Sequence, residues 1–251
     1  MQQTILASRQ RLSILGVPID DLDEDEALAI IAAQLSAGQP FQIVTVNPEF
    51  IMEARRNPAF AAVLRQATLA MPDGFGLLLA ARYLGLSLRE RVTGVALSGR
   101  LAELAAQQRY RLFLLGASEG VAAQAAAVLT ARYPGLIIAG TFAGSPQPRQ
   151  APFLCQMIAA ARADILLVAY GHPAQDLWVA RHQAATGARL AMGVGGTFDE
   201  LAGVVPLAPA WMHRLGLKLL FRLITQPKRW RRIIDAVPHF AWVVVREGRK
   251  R

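Results

Sequence analysis

The sequence predicts an α/β fold, a largely parallel sheet with helices on both faces, plus a basic helical C-terminal appendage. Three observations predict it. Short apolar runs alternate with helical patterns, which is the order of a parallel sheet with crossover helices. Several of those runs are apolar throughout, as strands covered on both faces are. The polar residues that could carry chemistry gather just after the strands, where open α/β sheets bind their ligands.

The predicted strands are 11–17, 41–46, 68–73, 111–116, 136–142, 164–171 and 189–195. The predicted helices lie near 24–38, 48–66, 74–84, 95–109, 119–133, 150–162 and 174–186. The acids Asp20, Asp21, Asp23, Glu24, Asp25 and Glu26 precede the first helix. They are expected to cap it and favour its positive end, rather than to form a DxD metal motif. Cys155, the single cysteine, excludes an intramolecular disulfide framework and a cysteine zinc site, and is expected as a buried helix thiol.

After residue 205 the pattern changes. The last 46 residues hold eleven Lys/Arg against two acids, while the first 205 hold sixteen of each, so the net charge of +9 sits on 206–251. A division into a core, 1–205, and an appendage, 206–251, follows. Arg214, Lys218 and Arg222 recur at i, i+4 and i+8 beside Trp211, Leu215 and Leu219. Pro227 starts a second helix bearing Arg229 and Arg232, and no strand alternation occurs until 241–245. Three of the four tryptophans lie in this segment. A basic stripe with Trp and Leu has the composition of a helix lying in a bilayer interface, so an anionic membrane surface is the expected partner. The competing reading is a charged helix with a solvated basic face. No secretory signal and no run of about 18 apolar residues occurs, so a cytoplasmic, peripheral protein is expected.

Thr45 and Asn47 follow residues 41–44, and could bind a sugar or satisfy loop backbone. Asp73 lies in Pro-Asp-Gly-Phe-Gly; it is the best general-base candidate, the alternative being a cap for the next helix. Gly171 closes the 164–171 run and Gln175 follows it, and Gly195, Gly196 and Asp199 follow residues 189–192. The glycine-rich turns at Gly116–Gly120 and Gly193–Asp199 could meet a phosphate with their amides. Neither is the dinucleotide GxGxxG fingerprint, so a dehydrogenase reading is weak. The four histidines lack ligand spacing, and no protein-bound catalytic metal or other cofactor is expected.

Taken in order, VTVNPEF, LAMPDGFG, RVTG, GHPAQD and GVGGTFD with the basic tail resemble the WecG/TagA/CpsF glycosyltransferases over roughly residues 10–245. The resemblance implies a Rossmann-like core and an inverting, metal-independent enzyme. It implies a UDP-sugar donor of the ManNAc, ManNAc-uronate or glucose type, and an acceptor sugar on undecaprenyl pyrophosphate at the inner face of the plasma membrane. The products would feed teichoic acid, enterobacterial common antigen or exopolysaccharide. Asp73 would be the base, with Thr45, Arg91 and Gln175 as further catalytic residues. Asn47, Gly74, Gly116, Gly171, Gly195, Gly196 and Asp199 would contact substrate. Arg214, Arg222, Arg229 and Arg232 would reach the lipid pyrophosphate. One departure stands out: Ala174 replaces the family's usual Lys and Asp176 its Glu. The rival from another class is a nucleic-acid-binding α/β protein with a basic tail, disfavoured by the tail's Trp/Leu face. Oligomeric state and the identity of the sugars are left open.

Overall fold

The computed structural model describes residues 9–206, 221 and 230–247, and side chains up to 206, at 221 and from 238 to 247. Six parallel strands form the central sheet: β3 (Phe41–Val46), β4 (Leu69–Pro72), β5 (Arg111–Gly116), β6 (Ile137–Phe142), β7 (Ile165–Ala169) and β8 (Leu190–Gly193). Their order is β4-β3-β8-β7-β5-β6. The helices around the sheet are α1 (Glu24–Ala37), α2 (Pro48–Arg56), α3 (Pro58–Gln66), α4 (Phe75–Tyr83), α5 (Gly94–Gln108), α6 (Val121–Arg132), α7 (Ala151–Ala160), α8 (Ala174–Thr186), α9 (Thr197–Leu201) and α10 (Trp230–Glu247). The α/β class with helices on both faces is as the sequence predicts.

Alternate strand residues supply two opposite cores, which is why the strands read as continuous apolar runs. Ile43, Leu112, Leu114, Ile165 and Leu167 face a cluster with Leu97 and Leu101 of α5 and Leu129 of α6. On the other face Val44 and Val46 join α2, α4 and α10, while Phe113, Leu115, Leu166 and Val168 join α7 and α8. Cys155 is buried on α7, as expected.

Four elements differ from expectation. The 11–17 run is not one strand: β1 (Arg11–Ile14) and β2 (Val17–Asp20) pair antiparallel, Ile14 opposite Val17, apart from the main sheet. Leu15 and Gly16, both at positive φ (51° and 83°), form the two-residue turn, the geometry that matches strand twist in tight hairpins. The 48–66 helix is broken at Asn57, because Pro58 disfavours helical backbone before it. Asn57 Oδ1 accepts from the Phe60 amide at 3.1 Å and starts α3. The glycine turn at 193–199 opens into the short α9, which the periodicity does not reveal. Residues 241–245 are helical, since Phe240, Val243 and Val244 form an i, i+3, i+4 stripe buried against the α2/α4 cluster. The 211–224 stripe and the helix start at Pro227 fall outside the described residues, apart from the helical residue 221.

The acid cluster divides. Asp23 accepts from the Glu26 amide at 2.8 Å and Glu26 returns the bond, a reciprocal cap on α1. Asp20 and Asp21 do not cap. Asp20 is fully buried, bound by Arg9 and Arg11 and by the Ala70 amide at 2.7 Å, so it pins the hairpin to β4. Asp21 is held by Arg89. Among the described residues no helix is long and apolar enough to cross a membrane.

Candidate active site

The carboxyl ends of β3, β4, β7 and β8 are neighbours; Asn47, Asp73, Gly74, Gly171, Gln175, Gly195, Gly196 and Asp199 follow them, while Thr45 lies within β3, Gly116 ends β5 and Arg91 follows α4. Asp73 follows β4. Its amide donates to Val46 O at 2.7 Å, which holds it beside the end of β3. It is not the cap of α4, whose N-cap, Gly74, makes no side-chain cap bond. Asp73 Oδ2 instead accepts a long bond, 3.4 Å, from the amide of Gly94, the first residue of α5. The N-terminus of a fifteen-residue helix therefore faces this carboxylate.

Gly94 is a close-packed point. A Cβ built there would lie 3.6 Å from Thr197 Oγ1 and 3.7 Å from Thr45 Oγ1. The two threonine hydroxyls, from β3 and from the start of α9, thus converge on the residue that bonds Asp73. Thr197, to which the sequence assigns no role, joins the candidate residues by position; its Oγ1 donates to Val194 O at 2.7 Å, which fixes its rotamer. The only signal for it was its place in the glycine turn after β8. Arg91 belongs to the same neighbourhood by backbone: the next amide, Val92 N, donates to Pro72 O at 2.9 Å.

Gln175 is buried and works as a latch. Its Oε1 accepts from Gly171 N at 3.1 Å and from Gly195 N at 2.9 Å, tying the β7 loop to the β8 loop. The amides of Gly195, which the sequence offers to a phosphate, and of Gly171, which the resemblance places among the substrate contacts, are therefore committed to Gln175. Asn47 Oδ1 is likewise engaged: it caps α2 through the Phe50 amide at 3.0 Å. Gly116 is demanded by packing, because it sits at φ 107° and a Cβ would come within 2.7 Å of Ala169 backbone. Gly74 is at φ 122° with a would-be Cβ 3.8 Å from Asn47 Cβ, so the Asp73 and Asn47 loops are in contact. Gly196 and Asp199 open α9 at the rim, Asp199 half-buried. His172 Nε2 meets Glu49 at 3.4 Å and its ring lies 4.9 Å from that of Phe50, closing the edge between the β7 loop and α2. Arg214, Arg222 and Arg229 fall outside the described residues; Arg232 lies in α10, its side chain outside them.

Asp176 is fully buried behind this latch, and neither carboxyl oxygen has a hydrogen-bond partner among the described residues. Burial pushes its pKa up to about 7, and the neighbouring Gln175 amide offsets only part of that. Between about pH 4 and pH 7 the folded chain keeps a proton that the unfolded chain releases. Stability therefore falls as pH rises through that window and levels above it, by an amount of order 4 kcal/mol. Thermal melts should show Asp176→Asn gaining on the native chain as pH goes from 5 to 8. A constant difference between the two proteins across that range would contradict this assignment.

The candidate residues gather at the carboxyl edge of a parallel α/β sheet, where enzymes of this fold class bind their ligands. The family described as "Glycosyl transferase WecG/TagA/CpsF family" matches residues 12–251. Similar proteins include the N-acetylglucosaminyldiphosphoundecaprenol N-acetyl-beta-D-mannosaminyltransferase of Bacillus spizizenii, 34% identical over 82% of this chain and 79% of that protein. The protein of the same name from Bacillus subtilis is 32% identical over 83% and 80%. That of Staphylococcus aureus is 28% identical over 96% and 94%. The chain belongs to the WecG/TagA/CpsF family and is a glycosyltransferase.

Proposed function

We propose that the protein transfers N-acetylmannosamine from UDP-N-acetylmannosamine to N-acetylglucosamine carried on a polyprenyl pyrophosphate. The acceptor follows the names of the similar transferases. The observation that carries the site is the convergence of Asp73, Gly94, Thr45 and Thr197 at the end of β3 and β4. Asp73 removes the proton from the acceptor hydroxyl, and that oxygen attacks the anomeric carbon as UDP leaves from the opposite face. One displacement inverts the anomeric configuration. Arg91 and the arginines of 206–251, among them Arg214, Arg222, Arg229 and Arg232, neutralise the diphosphates without a metal ion. Thr45 and Thr197 hold a sugar or ribose hydroxyl, and Asp199 lies on the nucleotide side. Gln175 acts by fixing the loops rather than by touching the reacting atoms.

In this reading 1–205 is the nucleotide-sugar core and 206–251 an appendage that works at the inner face of the plasma membrane. The buried Phe240, Val243 and Val244 of α10 support an appendage seated on the core, so cutting the chain at 205 would also open the α2/α4 cluster. Charge reversal is the cleaner probe. A UDP-release screen of UDP-sugars against a short-chain pyrophosphate-linked N-acetylglucosamine tests the proposal. Turnover should be highest with the N-acetylmannosamine donor. No turnover with any UDP-sugar, together with salt-steep duplex binding, would favour the nucleic-acid reading instead.

A further inference from the structure

Two helices that pack on each other present apolar side chains outward that join none of the core clusters among the described residues. On α4, Phe75, Leu79 and Tyr83 recur at i, i+4 and i+8 and are 42%, 53% and 39% exposed, while Leu77, Ala80 and Ala81 on the opposite side are buried. On α10, Trp242 and Val245 are 53% and 57% exposed, while Phe240, Val243 and Val244 pack into the same cluster as Leu77, Ala80 and Ala81. The two helices touch each other, so both stripes belong to the layer that covers β3 and β4. Scattered exposed apolar residues need no explanation, but a helical stripe of three with a second beside it marks a contact surface.

The chemistry around the stripes selects the occupant. The Arg246 guanidinium lies over the Trp242 ring at 4.8 Å, an aromatic-plus-cation pairing suited to the headgroup level of a bilayer. Arg82 is the only charged residue on α4, and the +9 of residues 206–251 supplies the complement to an anionic surface. Position agrees: α4 begins two residues after Asp73, so a surface meeting its outer face lies on the side of the reacting carboxylate's own loop.

We propose that Phe75, Leu79 and Tyr83 of α4, with Trp242 and Val245 of α10, form a membrane-contact surface that seats in the headgroup–acyl boundary of an anionic bilayer. It joins the α4 stripe of the core to the last helix of the basic segment, and presents the Asp73 loop to lipid-borne substrate. The proposal rests on the lipid-linked acceptor reading, yet its test needs no acceptor.

The full-length Leu79→Gln/Trp242→Gln variant is compared with the native chain by sedimentation with phosphatidylglycerol–phosphatidylcholine vesicles. Val128→Ser, an exposed apolar position on α6, serves as control. The double variant should bind about tenfold more weakly at unchanged melting temperature, and the control should bind as the native chain does. Equal binding by native and double variant overturns the proposal. So does a change from dimer to monomer with unchanged vesicle binding, which would assign the stripes to a second copy. A lowered melting temperature with unchanged vesicle binding also overturns it and assigns them to residues 207–229 of the chain itself. Transfer to a detergent-dispersed short-chain acceptor separates the two readings. Weakened vesicle binding with no transfer by the native chain from any UDP-sugar keeps the surface and sinks the substrate assignment.

Discussion

Asp73→Asn is expected to fold as the native chain does and to lose about 10²- to 10⁴-fold in turnover, the usual worth of a positioned general base. The fold should survive because the bond that Asp73 accepts from Gly94 N needs only an oxygen, which the Asn amide also offers. What Asn lacks is a site for the acceptor's proton. Donor binding should change little, since the substitution is isosteric, so the loss should fall on kcat rather than on the KM for the UDP-sugar. Steady-state kinetics beside a thermal melt check both halves. Near-native turnover by a folded Asp73→Asn protein would remove the base assignment.

Gly193→Ala is expected to damage fold and activity together. A Cβ at 193 would lie 2.6 Å from Asp176 Oδ1, 2.6 Å from Gln175 Nε2 and 2.8 Å from Gln175 Cδ. None of these atoms is the free end of an exposed chain; Gln175 and Asp176 are both buried. If Gln175 moves, Gly171 N and Gly195 N lose their common acceptor. Overpacking of this kind costs about 3 kcal/mol, or roughly 6–10 °C of melting temperature for a chain of this size. Activity should fall further, because the latch positions both loops at the sheet edge. The double variant Gly193→Ala/Gln175→Ala should be less damaged than the sum of its parts, since removing Gln175 makes room for the new methyl. Strict additivity in the melts would mean that the two side chains do not share this space.

The fold was largely legible because its strands are buried on both faces, which leaves long apolar runs that turn residues interrupt. What escaped notice has local causes. The β1–β2 turn hides because Leu15 takes positive φ without being glycine. The break at Asn57 was signalled by Asn-Pro, but the apolar periodicity of 48–66 ran through it. Residues 241–245 look like strand by β-branched composition, and only the packing of Phe240, Val243 and Val244 on α4 makes them helix. In the candidate site, the place of Asp73 at the end of a strand was legible from its proline-led, glycine-followed turn. The role of Gln175 was not, because its partners are backbone amides four and twenty residues away. Nor was the burial of Asp176, since a polar residue in the first turn of a helix is ordinarily solvated.

The most direct measurement is the anomeric configuration of the disaccharide made from α-linked UDP-N-acetylmannosamine and pyrophosphate-linked N-acetylglucosamine, read by NMR. A single displacement driven by Asp73 yields the β-linked product. An α-linked product, or none from this pair while the chain is folded, would contradict it.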